Sequence, residues 1–143
     1  MSVFTDNEVA YLQSQPICRL ATANAAGHPH VVPTGFHVDP EQGVLKIGAH
    51  DLEGGERGQK RLYRRNIEAN PYVAVVVDDL ASTRPWAPRG ITVRGRAEIM
   101  QEGGGVLGPG FGPVWIRIVP TFVSAWGIDT DAFAPPNNRR LDA

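Results

Sequence analysis

The chain has 143 residues, a formal net charge of −1, 42% apolar residues and 20% charged residues, which is the ordinary mixture of one soluble globular domain. That length buries a core without covalent staples, and the lack of a basic excess removes compositional support for nucleic-acid binding. One cysteine, Cys18, excludes an intramolecular disulfide and a cysteine-built metal site, and fits a reducing compartment.

In chain order, Thr5 and Glu8 form a capping-box pair flanked by Phe4 and Val9 as a hydrophobic staple. The pattern predicts a helix over Asp6 to Ser14, stopping before Pro16. "ICRLATA" (Ile17 to Ala23) alternates apolar with polar and predicts a half-buried strand. Cys18 lies in this apolar run and reads more readily as a small buried hydrophobe than as a reactive thiol. "NAAGHP" turns the chain into a second strand, "HVVPTGFHV" (His30 to Val38), which Pro33 interrupts. A proline cannot donate to a ladder, so this strand is expected at an edge, bulged, or exposing backbone to a ligand.

A third strand, "VLKIGAH" (Val44 to His50), precedes a segment of concentrated charge. "YVAVVVDD" (Tyr72 to Asp79) reads as a strand buried on both faces. "RGITVRGRAEIM" (Arg89 to Met100) and "VWIRIVPTFVSAWGI" (Val114 to Ile128) give the fifth and sixth. Between strands four and five, "STRPWAPRG" reads as a proline-rich loop, and "APPNNRRLDA" as a loose tail. Short strands divided by Gly/Pro turns predict a mainly β protein: an antiparallel barrel of six strands, one N-terminal helix, and one helix between strands three and four. No run approaches the roughly 18 apolar residues of a membrane span, and the N-terminus lacks an apolar core of signal-peptide length. The expected location is the cytoplasm, with no membrane partner.

"ERGQKRLYRRN" places Arg57, Lys60, Arg61, Arg64 and Arg65 in nine residues. At about 100° per residue, Arg57, Lys60, Arg61 and Arg64 share one helical face, with Leu62, Tyr63, Ile67 and Ala69 broadly opposite. One reading is a solvated face, with Glu68 as an i,i+4 partner of Arg64. The other is an anion site: the charges follow Gly54 and Gly55 at a helix front, where free N–H groups and the dipole already favour negative charge. No P-loop motif is present, and a single phosphate or phosphodiester suits the segment better than a polynucleotide.

These segments, taken in order with "NPYVAVVVDD", "RPWAPRGITVRGRAEI" and "IRIVPTFVSAWGID", resemble the pyridoxamine 5′-phosphate oxidase-like split-barrel superfamily. Within it they are most similar to the branch that uses the deazaflavin coenzyme F420, near the dehydrotetracycline reductases of oxytetracycline biosynthesis. The resemblance runs from Met1 to about Asp129. It implies a six-stranded split barrel over residues 1–129, with 130–143 as tail, in a homodimer with two cofactor sites at the subunit interface. It further implies that Val31, Val32, Pro33 and Thr34 line the cofactor ring, faced by Ile47, Gly48 and Ala49. Arg57, Gly58, Gln59, Lys60, Arg61 and Arg64 would hold the phosphate, although "GERGQK" replaces the Thr or Ser usual before this helix.

No Ser/His/Asp set, carboxylate pair or metal cluster emerges, and the four histidines lack ligand spacing. That absence suits a protein whose cofactor carries the chemistry. The implied reaction is hydride transfer to a conjugated C=C of a polycyclic ketone, with His30, Tyr63 or water supplying the proton. Phe36, Trp86, Arg89 and Trp126 are the candidates for lining the substrate cleft; Trp86 reads equally as part of a rigid connector, and Trp126 as core. An FMN enzyme of the same fold and a non-enzymatic cofactor-binding module remain the alternatives.

Overall fold

The fold is described from a computed structural model, which covers residues 2–50 and 61–141, without the side chain of His50. The helix α1 spans Asp6–Ser14 and begins as the sequence dictates: Thr5 Oγ1 accepts from the Glu8 backbone N–H at 3.1 Å, and Glu8 returns a carboxylate to the Thr5 N–H at 3.0 Å. Phe4 is buried beside it, and Val9 packs against the core. The next elements are β1 (Ile17–Ala23), β2 (Pro29–Gly35), β3 (His37–Asp39), β4 (Val44–His50) and α2 (Leu62–Ala69). After them come β5 (Tyr72–Thr83), β6 (Trp86–Met100), a 3-10 turn over Gly104–Leu107, β7 (Phe111–Trp126) and β8 (Asn137–Arg140).

All pairings are antiparallel, in the order β2-β1-β5-β6-β7-β4-β3, with β8 added to β7. The sheet curls far enough that β2, at one end of this order, approaches β4 near the other. The enclosed core is filled by alternate residues, among them Leu20, Leu45, Val75, Ile91, Ile118 and Val123. Fully burying each such side chain contributes about 1.5–3 kcal/mol. The class is the expected one, but the described residues form eight strands. The single strand expected over His30 to Val38 breaks at Phe36, whose buried ring turns the chain inward. Its first half stays on β1, and its second half crosses to pair with β4.

The tail departs from expectation more sharply. Asn137–Arg140 pairs with β7 through Phe122↔Arg140 and Ala125↔Asn137. Arg139 then reaches the wholly buried Glu8, with Nη2 at 2.5 Å from Oε1 and Nη1 at 3.1 Å from Oε2. Its Nη2 also donates to the Val3 carbonyl. The end of the chain is thus held against α1 because a buried carboxylate requires a cation and further hydrogen bonds. The loop expected over Ser82 to Gly90 is mostly strand as well. β5 and β6 pair up to Thr83↔Trp86, and a tight turn at Arg84-Pro85 joins them.

Candidate functional site

Strand β2 is the structural centre of the predicted cofactor site. Among the described residues it pairs only with β1, so Pro33 stands in an edge strand, where a missing N–H costs least. The register with β1 separates its side chains. His30, Val32 and Thr34 lie on the side of Thr22, Leu20 and Cys18, which are buried, while Val31 and Pro33 lie on the side of Ala21 and Arg19. Val31 to Thr34 therefore cannot all present side chains to one ring; alternate residues, or the backbone edge, are what the strand offers. Val31 is 62% exposed. On β4, Ile47 is buried and its side chain belongs to the core, whereas Gly48 and Ala49 are half-buried. The ring of Phe111 covers Gly48, about 3.1 Å from where a Cβ would stand.

Helix α2 packs over β1, β2 and β6. It is anchored by Tyr63, Asn66 and Ile67, all buried, and Asn66 Nδ2 donates to Thr22 Oγ1 at 3.0 Å. That bond fixes the helix above the β1–β2 pair, because breaking it strands two buried polar groups. The start of α2 is electropositive. Arg61 is the N-cap residue, no side chain caps the first turn, and no acid occurs in it. Arg61 is exposed. The Arg64 side chain is only 13% exposed; its Nε lies 3.7 Å from Glu68 Oε1, too far for a hydrogen bond, and is buried with no hydrogen-bond partner among the described residues. The i,i+4 pair expected between Arg64 and Glu68 is thus present, but it leaves a buried donor unused. Arg57, Gly58, Gln59 and Lys60 lie outside the described residues.

The two candidate proton donors separate clearly. Tyr63 is buried, and that burial raises its pKa against the opposing pull of Arg61 and Arg64. It is a core residue. His30 is half-buried on β2, opposite Thr22. Among the described residues no group of His, Cys, Asp or Glu is placed to hold a metal.

The substrate-lining set is dispersed. Phe36 lies in the core, because it is where the chain folds inward between β2 and β3. Arg89 is consumed structurally: Nε and Nη2 grip Asp79 at 2.7 and 3.0 Å, and its guanidinium lies 5.1 Å from the centroid of the Tyr11 ring. Tyr11 adds its hydroxyl to Asp79 at 2.9 Å. The bond to Arg89 is the main reason the Asp79 carboxyl sits below its ordinary pKa, while burial, then Asp79, push the Tyr11 phenol up. Trp86 is 58% exposed at the hairpin tip. Trp126 is half-buried opposite Gly90, where a Cβ would come within 2.6 Å of its ring. The sequence reading missed Asp79, Asn66 and Thr22. An acid ten residues before an arginine on a hairpin, and an asparagine on an otherwise apolar helix face, were the available signals.

The family model for pyridoxamine 5′-phosphate oxidase matches residues 4–118. The chain belongs to that family. It is 38% identical over 140 residues to a 5a,11a-dehydrotetracycline/5a,11a-dehydrooxytetracycline reductase of Streptomyces rimosus, covering 98% of this chain and 94% of the relative. Among solved structures it is similar to an F420 reductase, with 30% identity, a TM-score of 0.58, and 79% of this chain and 93% of that one covered. General Stress Protein 26 from Bacillus anthracis shares the fold, with a TM-score of 0.62 at 21% identity, over 95% of this chain and 97% of that one. This fold is a flavin-type cofactor-binding fold. Among the described residues no helix is long and apolar enough to cross a membrane.

Proposed function

We propose that the protein is a deazaflavin-dependent reductase that uses coenzyme F420 to reduce a conjugated C=C bond of a polycyclic ketone, with a dehydrotetracycline as the leading substrate. The observation that carries this reading is the 38% identity, along 98% of the chain, to a reductase of that substrate class. The likeness to an F420 reductase supports the cofactor. The residues present fit an anionic cofactor tail. Among the described residues, Arg64 holds a buried Nε without a hydrogen-bond partner at the start of an uncapped helix that has no acid in its first turn, and such a start favours an anion.

In this reading Arg61 and Arg64, with Arg57 and Lys60 of the adjoining segment, bind the phosphate. The β2 edge and the half-buried Gly48–Ala49 backbone orient the ring system. When bound, the reduced deazaflavin supplies the hydride. His30 holds a proton on its imidazole for the carbon beside the substrate carbonyl, which completes a two-electron, two-proton-equivalent reduction. Tyr63 supports the helix. The exposed edge strand and the exposed Trp86 at the hairpin tip are surfaces that a homodimer would cover, and Trp86 would then reach the partner subunit's site. Light scattering is expected to return a dimer mass at micromolar concentration; a monomer mass overturns that part.

The decisive experiment is anaerobic incubation with reduced F420 and a dehydrotetracycline, following cofactor reoxidation. Enzyme-dependent reoxidation is expected, and its absence removes the substrate assignment. The family match favours one second reading, an FMN-dependent oxidase or reductase. Protein purified yellow with bound FMN, and turnover of pyridoxamine phosphate, would put that reading first.

A further inference from the structure

On the outer face of the sheet, the register aligns one row of residues across six strands: Val31, Ala21, Ala74, Arg94, Phe122 and Arg140. The alanines leave a trough of about 430 Å³, walled by Tyr72 and ending at Arg94 and Thr121. Arg94 and Thr121 also border a second cavity of about 290 Å³, completed by Phe122, Arg140 and Leu141. The two form one path, apolar at the β1 end and cationic at the β8 end.

The cationic end is built rather than incidental. The β6–β7 register shifts between Arg94 and Gly95, and a bulge of this kind re-aims side chains. Thr121 Oγ1 donates to the Arg94 carbonyl at 3.3 Å across the same irregularity. The Arg94 guanidinium lies 4.2 Å from the centroid of the Phe122 ring, within the range of a cation–π contact. Arg140 lies on the other side of Phe122, held there by the pairing of β8. Among the described residues neither arginine has a carboxylate partner, although the other arginines of the sheet, Arg19, Arg89, Arg117 and Arg139, each have one within 4.0 Å, with Arg96 the exception. Two unpaired guanidiniums flanking a ring at the mouth of an apolar trough are complementary to one ligand chemistry.

We infer that Arg94, Phe122 and Arg140 form a binding site for the oxyanion of a small aryl ligand, a carboxylate or a phosphate, whose apolar body lies in the Ala21–Ala74 trough. Its cationic end lies on β6, β7 and β8, away from β4 and α2, while the apolar trough reaches β2 at Pro29; the inference does not rest on the deazaflavin reading.

The test is titration of the full-length protein with naphthoate, naphthyl phosphate and neutral naphthol, followed by calorimetry and by NMR of the arginine Nε–Hε groups. The inference expects saturable binding of one or both anions, perturbation of the Arg94 and Arg140 signals, and weakening by added salt. The comparison of the two anions tells which oxyanion the site prefers. Arg94→Gln with Arg140→Gln is expected to lower anion affinity about tenfold, the scale of a lost charge-assisted contact. Arg94→Lys, which keeps the charge but loses the planar stack, is expected to fall between. No saturable binding, equal binding of naphthol, or unchanged affinity in the double variant overturns the site. So does a change of oligomeric mass in the double variant without any effect on ligand, which would make these arginines a subunit contact.

Discussion

Arg139 and Arg64 are both largely buried arginines, yet their surroundings are opposite. Arg139 meets both oxygens of the buried Glu8 and a backbone carbonyl, and Glu8 in turn caps α1. Asp129, three residues past β7, ties down Thr5 and Asn7 at 2.6 and 2.8 Å. The Arg139, Thr5 and Asn7 side chains there each donate to an internal acceptor. At the start of α2, Arg64 keeps a buried Nε without a hydrogen bond among the described residues, and no acid occupies the first turn. A saturated pair stabilises the native state; under the proposed function Arg64 is the cation left for a ligand, whereas Arg117, whose buried Nε likewise has no hydrogen-bond partner among the described residues, stands against Glu98 at 3.6 Å.

The largest expected effect comes from breaking the saturated side. Arg139→Ala leaves the Glu8 carboxylate buried without its cation and is expected to cost about 3–5 kcal/mol in urea unfolding. Adding Glu8→Gln should recover part of that loss, because the uncompensated charge is gone. A loss under about 1 kcal/mol for Arg139→Ala would mean that the tail is no more than a surface strap.

On the unsaturated side, Arg64→Gln is expected to change stability by no more than about 0.5 kcal/mol. The same change should weaken deazaflavin binding about tenfold, or about 1.4 kcal/mol, in a fluorescence titration. The reverse pattern, lost stability with unchanged affinity, would place Arg64 with Arg139.

Arg89 tests an intermediate case, since its pair with Asp79 is bidentate but partly solvated. Arg89→Ala is expected to cost about 1 kcal/mol. The Asp79 carboxyl titrates below its ordinary value because Arg89, then Tyr11, hydrogen-bond to it. Its stabilisation is therefore present above the unfolded pKa of about 3.9 and lost as pH falls through the lower folded value. Asp79→Asn should flatten the decline of stability on acidification in that window and leave the neutral and alkaline side with no added pH dependence. A smaller effect still is expected at Cys18, whose thiol burial pushes up to about 12. Disulfide reagents at pH 8 should label it only at the rate of unfolding, and the Arg139→Ala variant should label faster than Arg64→Gln.

What the sequence determined by itself was local. The capping box, the Pro16 stop and the alternation in β1 and β6 depend on neighbours within a few residues, and the structure reproduces them. Family membership was also legible, because motif order runs along the whole chain. What only the tertiary structure decided were the long-range pairings. Residues 131 apart in sequence make the Glu8–Arg139 bond, and nothing in "APPNNRRLDA" signals a strand, since polar Asn and Arg side chains do not alternate with apolar ones. Phe36 has the composition of a pocket residue but is core, because the chain must turn inward to carry β3 from one side of the sheet to the other. Arg89 has the charge of a ligand residue but is held by Asp79 through a hairpin register that propensity does not encode. Charge counts identify where cations are; only packing shows which of them already have a partner.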